Sequence, residues 1–78
     1  MPGRRDETSA PAQFGKRVRS RRVELGWSQE RLAEQSGFHW TYVSSVERGE
    51  RNVSLGTIVR LAQALDVNAG RLVQDLAP

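Results

Sequence analysis

The chain of 78 residues contains no cysteine, and this absence removes two classes of small protein. Neither a disulfide framework nor a zinc site with cysteine ligands can form without that residue. The single histidine, His39, excludes a metal site built on several histidines and leaves little for acid–base catalysis. We therefore expect no metal ion or other cofactor, and no enzyme, because no acid, base and nucleophile are seen to converge.

The chain also lacks a long apolar segment, since no run approaches the roughly 20 residues that cross a bilayer. Arg4 and Arg5 could suggest an export signal, but no apolar segment follows them. We therefore expect a cytoplasmic protein without a membrane partner. Nothing in the sequence indicates a small-molecule ligand.

Positive charge exceeds negative charge, with 12 Lys and Arg against 9 Asp and Glu, a net charge of +3. The charges of residues 1–11 cancel, so the excess lies in residues 12–78 and is densest over residues 16–22. Such a domain favours a polyanion as partner, although a basic surface can also serve solubility alone.

The order of residues predicts a short tail followed by helices. Residues 1–11 mix Pro, Gly, Ser and Thr without periodicity, which predicts a disordered N-terminal tail. From Ala12 the apolar residues follow a helical spacing, and no stretch alternates as a strand does. The fold class is therefore all-α. The five predicted helices run from Ala12 to Gly26, from Ser28 to Gly37, from His39 to Arg48, from Ser54 to about Leu65, and from Asn68 to Leu76.

The second and third predicted helices have about two turns each, which is too short to persist alone in water. They must pack against each other and against their neighbours. Two short helices joined by a glycine turn form the helix-turn-helix arrangement, whose second helix enters the major groove of double-stranded DNA. Residues 12–78 are therefore predicted to be one helix-turn-helix DNA-binding domain.

The third predicted helix has one side that is free of acidic residues. Val43 and Val46 point toward the core on a helical wheel, and Glu47 lies beside the opposite side. That opposite side holds Trp40, Thr41, Ser44, Ser45 and Arg48. Short hydroxyl side chains allow close approach to base edges and can bond to them. Two alternatives stay open: small polar residues decorate any solvated helix, and Trp40 could be partly buried against Phe38.

The sequence resembles the Cro/repressor-type (XRE) helix-turn-helix family from about Phe14 to Leu76. The segments that carry the resemblance are SQERLAEQSG, TYVSSVERGERNVSL and IVRLAQALDV. Within them the family's spacings hold at Gln29, Ala33, Gly37, Val43, Glu47, Gly49 and Leu65. The middle segment is similar to the short regulators that control restriction–modification operons. The resemblance implies a five-helix, lambda-repressor-like domain and a transcriptional regulator, a repressor or autoregulator, that binds a palindromic operator as a homodimer.

The resemblance also implies which residues meet DNA. The residues expected to read bases are Trp40, Thr41, Ser44 and Ser45, with His39 at the edge. The residues expected to contact phosphates are Ser28, Gln29, Tyr42, Arg48, Arg51 and Asn52. Related regulators often carry an arginine or glutamine where Trp40 stands. Since an indole has one N–H donor, thymine contacts and DNA shape should carry more of the specificity here. For the phosphate residues, the alternative is an uncommitted surface side chain.

The resemblance also implies an ion pair and a dimer, and the apolar character of the last helix predicts where the dimer contact lies. Arg22 and Glu47 match a family ion pair, which would explain an arginine on the inward stripe of the first helix; the alternative is two separate solvated charges. One domain covers only part of a turn of duplex, so the family acts as a two-fold dimer. The residues predicted to form much of the dimer contact, unless they only close the core, are Val67, Leu72, Val73 and Leu76.

The sequence leaves alternatives open for the sign of regulation and for the function. Glu30, Glu34 and Glu50 lie near the DNA-facing segments and could contact RNA polymerase, so activation stands beside repression. A different function is an antitoxin-like interaction module that covers a toxin and also binds its own promoter. Such proteins usually add a toxin-binding segment, and the polar tail offers no apolar anchor for one.

Overall fold

The structure, a computed structural model, describes residues 9–77, and they form five α-helices with no strand among them. The helices are α1 Ala10–Glu24, α2 Gln29–Ser36, α3 Trp40–Glu47, α4 Leu55–Leu65 and α5 Ala69–Val73. The prediction of an all-α, five-helix fold is confirmed for this part of the chain. No helix in residues 9–77 has the length and apolar character to span a bilayer.

Two predicted boundaries were wrong. Helix α1 begins at Ala10 rather than Ala12, because the Ser9 hydroxyl accepts a hydrogen bond from the Ala12 N–H at 3.3 Å. Residues 10–11 therefore belong to the helix, while residues 1–8 of the predicted tail lie outside the described residues. Helix α5 ends at Val73, so Leu76 lies beyond it; Gln74 leaves the helical path with ψ of 137°, and Asp75 follows with φ of 56°.

Local chemistry starts α2, α4 and α5, and ends α2, where the sequence predicts. Ser28 caps α2, Ser54 caps α4 and Asn68 caps α5, each accepting a backbone N–H of the first turn. Gly37 ends α2 with φ of 78°, a left-handed conformation that residues with a Cβ adopt only under strain. The short α2 and α3 are thereby joined by a tight turn.

One apolar core holds the helices together. Each helix contributes at least one side chain that is almost fully buried: Phe14, Val18, Leu32, Val43, Val46, Leu61, Leu65 and Leu72. The predicted inward positions Ala33, Val43 and Val46 are buried as expected. This shared core stabilises α2 and α3, which have too few turns to be helical in isolation.

Helices α1 and α3 approach each other most closely at Gly15. A Cβ at that position would overlap the carbonyl oxygen of Val46 and lie 2.8 Å from that of Glu47. Only glycine fits this contact without a shift of backbone. The contact fixes the C-terminal half of α3 against α1 and leaves the first turn, with Trp40, at the surface.

Candidate nucleic-acid interface

The first turn of α3 projects from the domain. Trp40 is 47% exposed, and its ring stacks on that of His39 with centroids 6.2 Å apart. His39 is the N-cap of α3: its Nδ1 accepts the backbone N–H of Thr41 at 3.2 Å and lies 2.7 Å from the Thr41 hydroxyl. The sequence did not indicate this cap, because histidine is not among the preferred capping residues. The three predicted base-reading residues at this end therefore lie together.

Ser44 and Ser45 do not form the open hydroxyl stripe that the helical wheel predicts. They are only 8% and 5% exposed. The Ser45 hydroxyl donates to the carbonyl of Tyr42 at 2.7 Å and accepts from Arg51 Nε at 3.0 Å. Ser44 Oγ accepts a hydrogen bond from Arg48 Nη1. The prediction of exposure is wrong here, because two long arginine side chains fold back across the helix.

The segment after α3 presents the predicted phosphate-binding cations. Arg48, Arg51 and Asn52 are all exposed. Arg48 donates to both oxygens of Glu50, from Nε at 2.9 Å and from Nη2 at 3.1 Å. This hydrogen-bonded carboxylate raises the pKa of Arg48 above its usual value.

Tyr42 and Arg51 form a second contact beside α3. The Arg51 guanidinium lies 5.5 Å from the centre of the Tyr42 ring, within the range of a cation–π interaction. The Tyr42 hydroxyl is 3.5 Å from Thr57 Oγ1 on α4, and its ring packs against Phe38 with centroids 5.0 Å apart. Tyr42 is thus half-buried and held by α4.

Gln29 is held inside a buried ion pair at the start of α2. Its Nε2 donates to Glu47 Oε1 at 3.0 Å. The same carboxylate accepts from Arg22 Nε at 2.6 Å and from Arg22 Nη2 at 3.0 Å, while Arg22 Nη1 donates to the Trp27 carbonyl at 2.7 Å. The structure therefore brings Arg22 and Glu47 together as the resemblance implied. It also adds Gln29 to this pair, a residue that was expected to contact a DNA phosphate.

This network fixes the orientation of α3. The side chain of Glu47 is 3% exposed and that of Arg22 is 11% exposed. The hydrogen-bonded carboxylate of Glu47 raises the pKa of Arg22. Parallel hydrogen bonds between a guanidinium and a carboxylate set both distance and angle, so α1 and α2 together determine where α3 points. Ser28, the other residue expected near phosphate at this end, is exposed and caps α2.

Arg60 is a residue of the interface region that the sequence analysis missed. Its Nη2 donates to the carbonyl of Ser36 at 2.9 Å, and its guanidinium lies 4.1 Å from the centre of the Phe38 ring. It thereby holds the turn between α2 and α3 from the side of α4. A cation 24 residues away in sequence carries no local pattern that could reveal this contact.

The predicted dimer residues fall into two groups. Leu72 is 1% exposed and belongs to the core of its own chain, so the prediction that it contacts a partner is wrong. Val67, Val73 and Leu76 are partly buried against that core. The most exposed apolar side chains of the neighbouring helix lie one turn apart on α4, Leu55 at 77% and Val59 at 41%, and the sequence analysis did not select them.

The comparisons with known proteins match this architecture. The sequence pattern of the helix-turn-helix family (HTH_3) matches residues 18–72. The chain belongs to this helix-turn-helix family. The matched region contains α2, α3 and the turn between them, together with the Arg22–Glu47 pair.

The helix-turn-helix chain is similar to control proteins of restriction–modification systems. Control protein C.SmaI of Serratia marcescens is 54% identical over 56 residues, which are 72% of this chain and 67% of that protein. The solved structure of the controller protein C.AhdI from Aeromonas hydrophila is 50% identical, with a TM-score of 0.77, and the match covers 80% of this chain and 94% of that one.

A further solved structure contains DNA. It is the restriction–modification controller protein C.Esp1396I, as a tetramer in complex with its natural 35 base-pair operator. It is 27% identical to this chain with a TM-score of 0.77, and the match covers 86% of this chain and 88% of that one. The relatives named here are regulators, and this chain is a helix-turn-helix regulator of the same kind.

Proposed function

We propose that this protein is a sequence-specific transcriptional regulator of the restriction–modification control type. The observation that carries the proposal is the exposed first turn of α3, where Trp40 and Thr41 stand clear of the domain on a helix-turn-helix whose orientation is fixed by Arg22 and Glu47. Helix-turn-helix proteins contact base edges with this part of the second helix. Similarity to C.SmaI and C.AhdI supports the same role.

In the proposed complex, Trp40 and Thr41 read bases, and His39 lies at the edge of the contact. The apolar face of the indole suits a thymine methyl group. Ser44 and Ser45 join the reading surface only after the arginines that cover them move toward the DNA. Arg48, Arg51 and Asn52 bind phosphates on one side of the groove. Ser28 and Gln29 lie near the phosphates on the other side.

The proposed active form is a homodimer on a palindromic operator, with half-sites about 34 Å apart. Two apolar features support it: Leu55 and Val59 are exposed on α4, and the partly buried Val73 and Leu76 line one hollow with Ile58 of the same helix. Exposed apolar surface of this kind is characteristic of protein contacts. Two dimers on a longer operator would give a tetramer, the assembly in which C.Esp1396I binds its operator.

The regulator is proposed to act as a repressor or autoregulator in the cytoplasm. A contact between its exposed glutamates and RNA polymerase remains a prediction, and it would convert the same binding event into activation. The three glutamates of this prediction, Glu30 and Glu34 on α2 and Glu50 after α3, are all exposed.

Selection of bound duplexes from random DNA, followed by footprinting on the selected sequence, tests the proposal. We expect enrichment of a sequence with two-fold symmetry and a footprint that covers both halves. Enrichment of no sequence would contradict the proposal. A stoichiometric protein partner recovered from the native host, in place of DNA selectivity, would favour the antitoxin-like alternative.

A further inference from the structure

Glu50 lies beside a cation that the proposed complex assigns to the DNA backbone. Its two carboxylate oxygens accept hydrogen bonds from Arg48 Nε at 2.9 Å and from Arg48 Nη2 at 3.1 Å. The third nitrogen of that guanidinium, Nη1, donates to Ser44 Oγ one turn back along α3. All three nitrogens of Arg48 are therefore engaged by its own chain.

This arrangement explains why Ser44 is covered although it lies on the outward side of α3. The Arg48 side chain is 55% exposed and lies over Ser44, which is 8% exposed. A base edge can reach the Ser44 hydroxyl only if the guanidinium moves. Glu50, whose side chain is 40% exposed, holds the guanidinium in place from the opposite side.

A phosphate group and the Glu50 carboxylate compete for the same donors. The carboxylate is planar and the phosphate is tetrahedral, but both are oxyanions that accept paired hydrogen bonds from a guanidinium. A carboxylate left close to a DNA phosphate is repelled by it, which favours release of Glu50 from Arg48. A phosphate that takes up the paired Nε–H and Nη2–H donors displaces Glu50 from them.

We propose that Glu50 is an affinity-setting residue: it holds the Arg48 guanidinium over Ser44 in the free protein, and DNA binding exchanges the Glu50 carboxylate for a backbone phosphate. The same movement uncovers Ser44 for a base. The inference rests on the proposed function and adds to it a residue with the same negative charge as DNA. Each DNA-binding event then breaks the exposed Arg48–Glu50 ion pair. Operator affinity is therefore lower than it would be if Arg48 had no carboxylate partner in the free protein.

Glu50→Gln tests the exchange, because it keeps the size of the side chain and removes its charge. Exposed ion pairs are weak, so we expect operator affinity to rise about two- to fivefold. In an Arg48→Gln background the same substitution should change affinity no more than Glu34→Gln does in the parent. Glu34 is a matched control, since it is an exposed glutamate that pairs with Arg31 at 3.2 Å on α2.

A measurement without DNA tests the contact itself. In nitrogen-labelled protein, the Arg48 Nε–H should exchange with water more slowly in the parent than in Glu50→Gln, because the carboxylate accepts that proton. Equal exchange rates would overturn the inference, and so would an equal gain in affinity from Glu50→Gln with and without Arg48. Loss of affinity in Glu50→Gln would overturn it as well. A parent protein without preference for any duplex would instead overturn the proposed function.

Discussion

Arg22 on α1 and Glu47 on α3 are joined by two parallel hydrogen bonds of 2.6 and 3.0 Å, and both side chains are almost fully withdrawn from water. Gln29 on α2 donates to the same carboxylate. Three helices therefore meet at one charged group, directly behind the helix that carries Trp40. The placement of the candidate DNA-binding residues depends on this network as well as on the apolar core.

Removal of one partner should be costly because it leaves the other charge buried. Glu47→Ala is expected to lower the free energy of unfolding by about 3–5 kcal/mol, measured by urea denaturation. The double substitution Arg22→Met with Glu47→Leu should lose much less, since no charge stays unpaired. Glu34→Ala, at an exposed pair, should cost at most about 1 kcal/mol. Equal losses for Glu47→Ala and Glu34→Ala would contradict this role of the network.

The close approach of α1 and α3 gives a second prediction about stability. Gly15→Ala should destabilise the fold by about 1–3 kcal/mol, because the new methyl group meets the carbonyl oxygens of Val46 and Glu47. Gly56→Ala on α4 is the matched control: its nearest neighbour would be Ser54 Oγ at 3.9 Å, and alanine favours a helix. Thermal unfolding of both variants checks the difference, and similar melting temperatures would contradict it.

The proposed base-reading role of Trp40 predicts a loss of discrimination. Trp40→Ala should lower the ratio of operator affinity to random-DNA affinity by about fivefold or more, since the loss of recognition at one base pair typically costs about 1–3 kcal/mol. Val23→Ala removes another exposed apolar side chain, on α1, and should leave the ratio unchanged. Competition binding with operator DNA and random DNA measures this affinity ratio for each variant. An unchanged ratio in Trp40→Ala would remove this residue from the reading surface.

Arg51 is expected to bind a phosphate and to carry no sequence information. Arg51→Ala should weaken binding to every duplex and reduce the magnitude of the salt dependence of affinity by about one unit of slope. Arg71→Ala is the control, because Arg71 lies on α5 and pairs with Glu24. This change should leave the slope as it is in the parent. Titrations at several salt concentrations give the slope for each variant. The same slope for Arg51→Ala and the parent would place Arg51 away from the DNA.

The proposed dimer predicts that a charge on the exposed face of α4 separates the subunits. Leu55→Asp should shift the protein toward monomer in sedimentation, because burial of an unpaired carboxylate in an apolar contact is unfavourable. Val23→Asp places the same charge on another exposed position and should leave the assembly unchanged. Leu76→Asp tests the part of the surface that the sequence indicated. A dimer that persists in both Leu55→Asp and Leu76→Asp would place the interface elsewhere.

Much of the fold could be predicted because helical spacing and helix caps act locally. The apolar positions of α4 and the caps Ser28 and Ser54 follow directly from the order of residues. The missed features depend on contacts that are distant in sequence or have no usual signal. Gly15 matters only because another backbone lies beside it, and His39 caps α3 although histidine is not a preferred cap.

In the candidate site, too, local features could be predicted from the sequence and contacts between distant residues could not. A helical wheel gives the direction of a side chain from the helix axis and says nothing of what folds across it. The wheel predicts that Ser44 and Ser45 are open, yet both are buried, and Arg48 and Arg51 donate hydrogen bonds to them. Leu72 was selected for its apolar character, but the depth of the core under α5 decides that it is buried. Flexible side chains and long-range packing therefore separate the observed surface from the predicted one.

In the proposed complex, the first turn of α3 enters the major groove of a specific DNA sequence. The most direct test is a titration of the selected duplex against a scrambled duplex of equal length and composition, in the same salt. We expect at least about a thousandfold preference for the selected sequence, the lower end for specific regulators. Equal affinities for the two duplexes would contradict it.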